Sequence, residues 1–409
     1  MRKERLIVPV ILGVALAWAV AQTIASLMFE RELVRAIRDL QARGELSIWR
    51  READQGWLTS SGVIELAPLF GDLWHLEIHY HARHGLLSTR MEGSLDPHLD
   101  GVAEEAAIRP AWEARYHLLS GTFDGSMELA PLEVRQEERT FTLRGTRFAV
   151  QGEFGNWRGR AHVESARLED GNTMLEAGPI TLESRYAYVD GAYHFTQRDL
   201  LKVNGLSWRS PDLALNAEQL VLHSKTELDE EELRVRAELG LGQVMSADQV
   251  LLEGSMVGEL SRLDADALRS LLAHLKSATA RGGAGLRGRD LLAYLADDIR
   301  RLMSDSPRFD LSEVDLDSPM LGLTLNGEGA LIFDGRDLSA LEPELLYTEA
   351  EQGAWRERLD GDFLWQDLPA VVSLWLGLPL DTDDLQLDVV SGQVRLNGRP
   401  LSAFSPPLP

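Results

Sequence analysis

Ile180-Thr-Leu-Glu-Ser-Arg-Tyr186 sets apolar side chains at alternate positions, with polar or charged ones between them. In extended backbone successive side chains point to opposite faces, so this stretch reads as a strand with one buried and one wet face. Phe141-Thr-Leu-Arg-Gly-Thr-Arg-Phe148 and Leu213-Ala-Leu-Asn-Ala-Glu-Gln-Leu-Val-Leu222 have the same texture. Asp124-Gly125, Asp170-Gly171-Asn172, Asp190-Gly191 and Asn204-Gly205 fall among these runs and read as hairpin turns. Strand, turn and strand in this rhythm predict a mainly β (α+β) fold: a long, curved, antiparallel β-sheet body with a two-helix insert, behind an N-terminal transmembrane helix.

An echo lies near the start of the sheet. Ala53-Asp-Gln-Gly56-Trp57-Leu58-Thr59-Ser60 matches Ala82-Arg-His-Gly85-Leu86-Leu87-Ser88-Thr89 in register, each copy reading as a turn that opens a strand. Two copies are too few for a solenoid. The texture changes near Leu260. Leu268, Leu271, Leu272 and Leu275 recur at helical spacing, as do Leu291, Leu292, Leu295, Ile299 and Leu302, with a glycine-rich joint between the two sets. Strand texture then returns over Leu321–Phe333, with Asn326-Gly327 read as a turn inside it. A short helix over Pro369–Leu376 and a closing hairpin from Leu385–Val390 to Gly392–Gly398 complete the order.

Upstream, Leu6–Met28 is a charge-free, mostly apolar run preceded by Arg2, Lys3 and Arg5. A hydrocarbon core of about 30 Å needs roughly 20 helical residues, so the run is long enough to span. A retained signal anchor is the preferred reading; a signal peptide cleaved after Ala19-Val20-Ala21 is the alternative. Arg31, Arg35, Arg38 and Arg43 on the far side weaken the positive-inside argument, but a five-residue tail leaves only the large domain to export. Phe29, Leu33, Ile37 and Leu40 continue as one apolar helical stripe that packs on the following domain or on a partner. The expected organisation is a cytoplasmic tail (1–5), transmembrane anchor (6–28), juxtamembrane amphipathic helix (29–44), β-rich domain (45–260), helical insert (261–306) and C-terminal β-rich part (307–409).

A formal charge of −24 spread over 409 residues argues against nucleic acid as a partner, because phosphate binding wants a basic surface. The lack of cysteine removes thiolate catalysis, Cys-based zinc sites and iron–sulfur clusters, and fits an oxidising compartment. No Gly-x-Ser-x-Gly elbow, Walker loop or His-Glu-x-x-His is present. Gly283-Ala-Gly285-Leu-Arg-Gly288 satisfies Gly-x-Gly-x-x-Gly but lies between two helices, whereas a dinucleotide site needs a strand before it.

The densest chemistry is Trp74-His75-Leu76-Glu77-Ile78-His79-Tyr80-His81-Ala82-Arg83-His84. On a strand His75, Glu77, His79 and His81 share a face, and imidazole with carboxylate suits Zn²⁺, Cu²⁺ or Ni²⁺. Same-face neighbours stand about 6.7 Å apart, however, which suits chelation poorly. The simpler reading buries Trp74, Leu76, Ile78 and Tyr80 and leaves the polar set in water. No cofactor and no catalytic residue is expected.

The order of parts resembles the YdgA-like family of bacterial envelope proteins. Gln55-Gly56-Trp57-Leu58-Thr59-Ser60 stands where that family has an Arg-Gly-x-Phe-x-Ser-like strand start, lacking the Arg and the Phe. His84-Gly85-Leu86 stands for a His-Gly-Pro-like element, without the proline. The two-helix insert before Ser306-Pro307 and the closing Val394-Arg-Leu-Asn397-Gly398-Arg-Pro-Leu401 are similar in placement. The resemblance implies a periplasmic protein anchored in the inner membrane, with a β-rich body and no assigned catalytic residues.

Together these readings predict a single-pass, non-enzymatic protein held in the inner membrane through residues 6–28, with its large domain in the periplasm. Its sheet would bind a hydrophobic ligand such as a lipid, or an envelope protein partner, on an apolar concave face. The alternative is a metal-dependent periplasmic hydrolase using the His75–His84 region.

Overall fold

The computed structural model describes residues 22–23, 25–35, 37, 46–68, 74–99, 110–136, 139–189, 194–279, 288–320, 322–375, 378–379 and 381–400. Tail 1–5, residues 6–21 and 24 of the expected anchor, positions 36 and 38–45, Asp190-Gly191 and the glycine-rich joint before Gly288 lie outside these residues. No described helix is long and apolar enough to cross a membrane. The chain divides into two compact units, Met1–Val134 with Leu143–His162 and Arg135–Thr142 with Val163–Pro409. Both are mainly antiparallel β-sheet with few helices.

In the first unit, β1 (Leu46–Gln55), β2 (Thr59–Pro68), β3 (Trp74–His84), β4 (Ser88–Leu99), β5 (Ala111–His117) and β6 (Thr122–Leu129) pair in sequence order. The chain then runs through β7 (Leu132–Gln136) and β8 (Arg139–Arg144), of which Arg135–Thr142 belong to the second unit, before β9 (Thr146–Glu153) returns beside β6 and hairpins to β10 (Asn156–Val163). The repeated motif forms two equivalent hairpin turns, with Gly56 N–H donating to Thr59 O at 2.8 Å and Gly85 N–H to Ser88 O at 2.9 Å. A helix over residues 25–35 (α1) lies on the apolar face. Phe29 is buried among Tyr80, Ala82, Met91 and Ala114, and Leu33 packs beside it, so these two members of the apolar stripe are used within this unit, while Leu40 lies outside the described residues. Glycines thin the strands beneath large rings. A Cβ on Gly93 would sit 1.9 Å from His79 O and 2.9 Å from the Trp112 ring, and one on Gly62 would meet Tyr80.

The second unit opens with β11 (Ser165–Asp170) and β12 (Thr173–Ala177), joined by a turn at Gly171-Asn172. A meander follows: β13 (Ile180–Val189), β14 (His194–Arg209), β15 (Ala214–Leu228), β16 (Glu232–Ser246) and β17 (Gln249–Asp264). Strand texture thus runs to Asp264, four residues beyond the expected boundary at 260. The two expected helices are α2 (Ala265–Thr279) and α3 (Gly288–Ser304). Asp264 caps α2 by accepting from Ala267 N–H, and the buried Asp298 of α3 accepts from Ser270 Oγ at 2.7 Å and pairs with His274 Nδ1 at 2.5 Å. The meander resumes with β18 (Arg308–Ser318), β19 (Leu323–Phe333), α4 (Glu349–Arg356), β20 (Leu359–Gln366), α5 (Ala370–Trp375), β21 (Leu385–Val390), β22 (Gln393–Leu396) and β23 (Arg399–Pro400).

Four sequence expectations are corrected. Asp124-Gly125, Asn204-Gly205 and Asn326-Gly327 lie inside β6, β14 and β19 rather than at turns, and Phe141–Phe148 is two strands broken at Gly145, whose φ is +61°. The glycines answer a neighbouring strand: the Trp365 ring lies over Gly327, where a Cβ would come within 2.3 Å of it. Gly205, with φ of +81°, marks where β14 exchanges β13 for β12 as its partner.

Candidate functional site

The histidine-rich strand β3 sorts its side chains as the alternation requires. Tyr80, Ala82 and His84 are buried on the helix-covered side, while His75, Glu77, His79 and His81 share the opposite face. His79 Nε2 stands 3.5 Å from Glu77 Oε2, and the His75 ring stacks on His98 at 4.1 Å with 7° between planes. His81 lies opposite Ser61 and Glu92. Among the described residues no three His, Asp or Glu side chains gather closely enough to hold a metal ion. The joint of the Gly-x-Gly-x-x-Gly motif lies outside the described residues, and its last glycine opens α3.

The buried polar chemistry of the first unit sits instead on the seam between α1 and the sheet. Gln22, Ser26 and Glu30 recur every fourth residue beside the apolar series Ala25, Phe29 and Leu33, so both sets face the strands. Gln22 Nε2 donates to His84 O, and Ser26 Oγ donates to Gly56 O at 2.9 Å. The helix therefore reads the backbone of both repeated turns. The Glu30 carboxylate takes a two-pronged grip from Arg50, at 2.6 and 2.8 Å, and Arg50 also donates to Tyr80 Oη. That hydrogen bond to Glu30 raises the Arg50 pKa, and burial raises that of Tyr80.

His84 is held on both sides, Nε2 at 3.1 Å from Ser60 Oγ and Nδ1 at 3.1 Å from Thr89 Oγ1. Burial lowers its pKa, with Glu30 opposing the shift. Ser60, His84 and Thr89 are all at most 6 % exposed, so this arrangement fastens the helix rather than meeting a substrate. The sequence reading passed over Gln22 and Ser26 because both fall inside the apolar run through Met28. The spacing of Gln22, Ser26 and Glu30 was the available signal.

The second unit offers a different surface. Leu182, Leu201, Leu222, Leu239, Met256 and Val314 are directly opposed across β13 to β18, forming one apolar row over six neighbouring strands. At about 4.8 Å per strand the row is about 24 Å long. Its far end is roofed: Val372 of α5, Trp365 and Leu387 pack against the buried cluster of Leu368, Leu378, Leu385 and Leu396, and Trp355 of α4 stacks on Phe333 at 5.5 Å. Between β13 and β17 large side chains of the row stay exposed, with Leu182 at 39 % and Met256 at 41 %; on β18 Phe309, on the same face, is 40 % exposed while Val314 is buried. A half-open apolar sheet face can take up an apolar chain or a second apolar face; no nucleophile–base pair lies on this row.

No curated protein and no solved structure matches the chain. The family described as "Bacterial protein of unknown function (DUF945)" matches residues 1–350, most of the sequence. The chain therefore belongs to DUF945, a family of bacterial proteins of unknown function, and the match spans the whole first unit and the second unit as far as residue 350.

Proposed function

We propose that this protein is a non-enzymatic binding module of the YdgA-like type, held in the inner membrane by residues 6–28 with its β body in the periplasm. The ligand is a lipid, taken up through its acyl chain on the apolar row of the second unit. One observation carries the reading: five opposed apolar residues, Leu182 to Met256, leave about 19 Å of sheet face half open before the row is buried at Val314, against about 15 Å for the acyl region of one bilayer leaflet. A protein that had only to fold would gain by covering such a face. An envelope protein would use the same row if it brought an apolar edge.

The test is mass spectrometry of lipid co-purifying with the full chain in mild detergent, compared with a Leu182→Lys/Met256→Lys variant. Both positions are about two-fifths exposed, so the variant keeps its fold. Lipid retained by the parent and lost from the variant is the expected outcome. Equal lipid in both, or none in either, sinks the lipid reading. The hydrolase alternative finds no support in the geometry of β3.

A further inference from the structure

The opposite face of the same strands carries a second row. Arg185, Arg198, Lys225 and Arg236 are directly opposed across β13, β14, β15 and β16, so four cations stand side by side. Like charges placed opposite one another destabilise a sheet, and the arrangement stands out in a chain of net charge −24. Two of the four are compensated: Lys225 Nζ is 2.7 Å from Glu227, and Arg236 Nη1 is 3.5 Å from Glu259. Arg185 and Arg198 have no carboxylate within 4.0 Å among the described residues, and both are exposed. The row borders a shallow depression of about 290 Å³ that Glu183 and Glu238 also line.

We infer that the polar face of β13 to β16 is a landing surface for the phosphate headgroups of an anionic bilayer. Arginine is the side chain best shaped for phosphate, because its planar fork gives two parallel hydrogen bonds. Two uncompensated forks on adjacent strands stand about 5 Å apart, a separation at which both reach one phosphate. The row runs about 14 Å, longer than a single phosphate group. The depression is open and walled on no side by a second layer, so a lone phosphate ion would stay largely hydrated. A plane of headgroups offers several phosphates at once and gains from multivalency. This inference does not depend on what the apolar face binds.

The full chain is held in phosphatidylcholine nanodiscs, so that its own N-terminal segment is satisfied, and is mixed with sedimentable vesicles. Capture by vesicles containing phosphatidylglycerol, without capture by pure phosphatidylcholine, is expected, weakening as salt rises. Arg185→Gln/Arg198→Gln is expected to weaken capture about thirty-fold, from the usual contribution of two cations at an anionic surface. Arg139→Gln/Arg167→Gln removes the same charge from residues paired with Asp170 and Glu169, and is expected to bind like the parent. Equal loss in both double variants would reduce the effect to net charge and overturn the proposal, as would equal capture by both vesicle types. Complete competition by micromolar inorganic phosphate would assign the row to a soluble phosphate and overturn the bilayer reading.

Discussion

Replacing Phe29 by Ala tests whether α1 is a docked part of the first unit or a passive continuation of the N-terminal run. Phe29 is 3 % exposed and packs against Tyr80, Ala82, Met91 and Ala114, with its ring centroid 5.2 Å from that of His84. Truncating a buried Phe costs about 3–5 kcal/mol, from lost transfer energy plus the cavity left behind. With a urea slope of about 2 kcal/mol per molar, the first unit's midpoint should fall by about 2 M. The control lies two residues away: Leu27 is 57 % exposed on the other side of the helix, and Leu27→Ala should change stability by less than about 0.5 kcal/mol. Urea unfolding followed by tryptophan fluorescence reads both variants. A Phe29→Ala cost below about 1 kcal/mol, or a Leu27→Ala cost equal to it, refutes the docked orientation.

Glu30→Gln should destabilise the same unit by about 3 kcal/mol, because it leaves the half-buried Arg50 without its charged partner; a smaller loss than Arg51→Gln, at an exposed guanidinium paired with Glu65, would contradict this. His84 has its pKa lowered by burial, so its neutral form holds the seam. Stability is then full above the unfolded value near 6.5 and is lost as pH falls through the lower folded value, and His84→Gln should flatten that acid limb in melts between pH 7.5 and 5. Gly93→Ala should cost about 1–3 kcal/mol or more because the neighbouring His79 carbonyl is fixed backbone, whereas Gly353→Ala within α4, where a Cβ meets nothing within 4 Å, should stabilise by about 0.5–1 kcal/mol. Added Zn²⁺ should leave the melting temperature unchanged, since His75 is stacked on His98 and no described group of three ligands exists.

The candidate surfaces were only half legible in the chain. Alternation alone identified strands such as Ile180–Val189 and their two faces, but a single strand does not say which residues on other strands stand beside it. Leu182 and Met256 are 74 positions apart and share a row through three intervening strands; Arg185 and Arg236 meet in the same way. Registers of this kind follow from packing across the whole sheet. The apolar face was therefore foreseeable and its opening was not, since that depends on where α4 and α5 come to rest.

What the sequence determined by itself was whatever rests on neighbours a few residues apart. The strand alternation, the two hairpins at Gly56 and Gly85, the paired helices after Asp264 and the closing hairpin at Ser391-Gly392 are all of this kind. Only the tertiary structure decided that Gly125, Gly205 and Gly327 belong inside strands, that Gln22, Ser26 and Glu30 grip the sheet, and that four cations line up on one face. The physical reason is common to all three. A glycine beneath a ring, a polar group on a seam and a charge in a row each answer to a partner tens of residues away, and a local pattern holds no record of that partner.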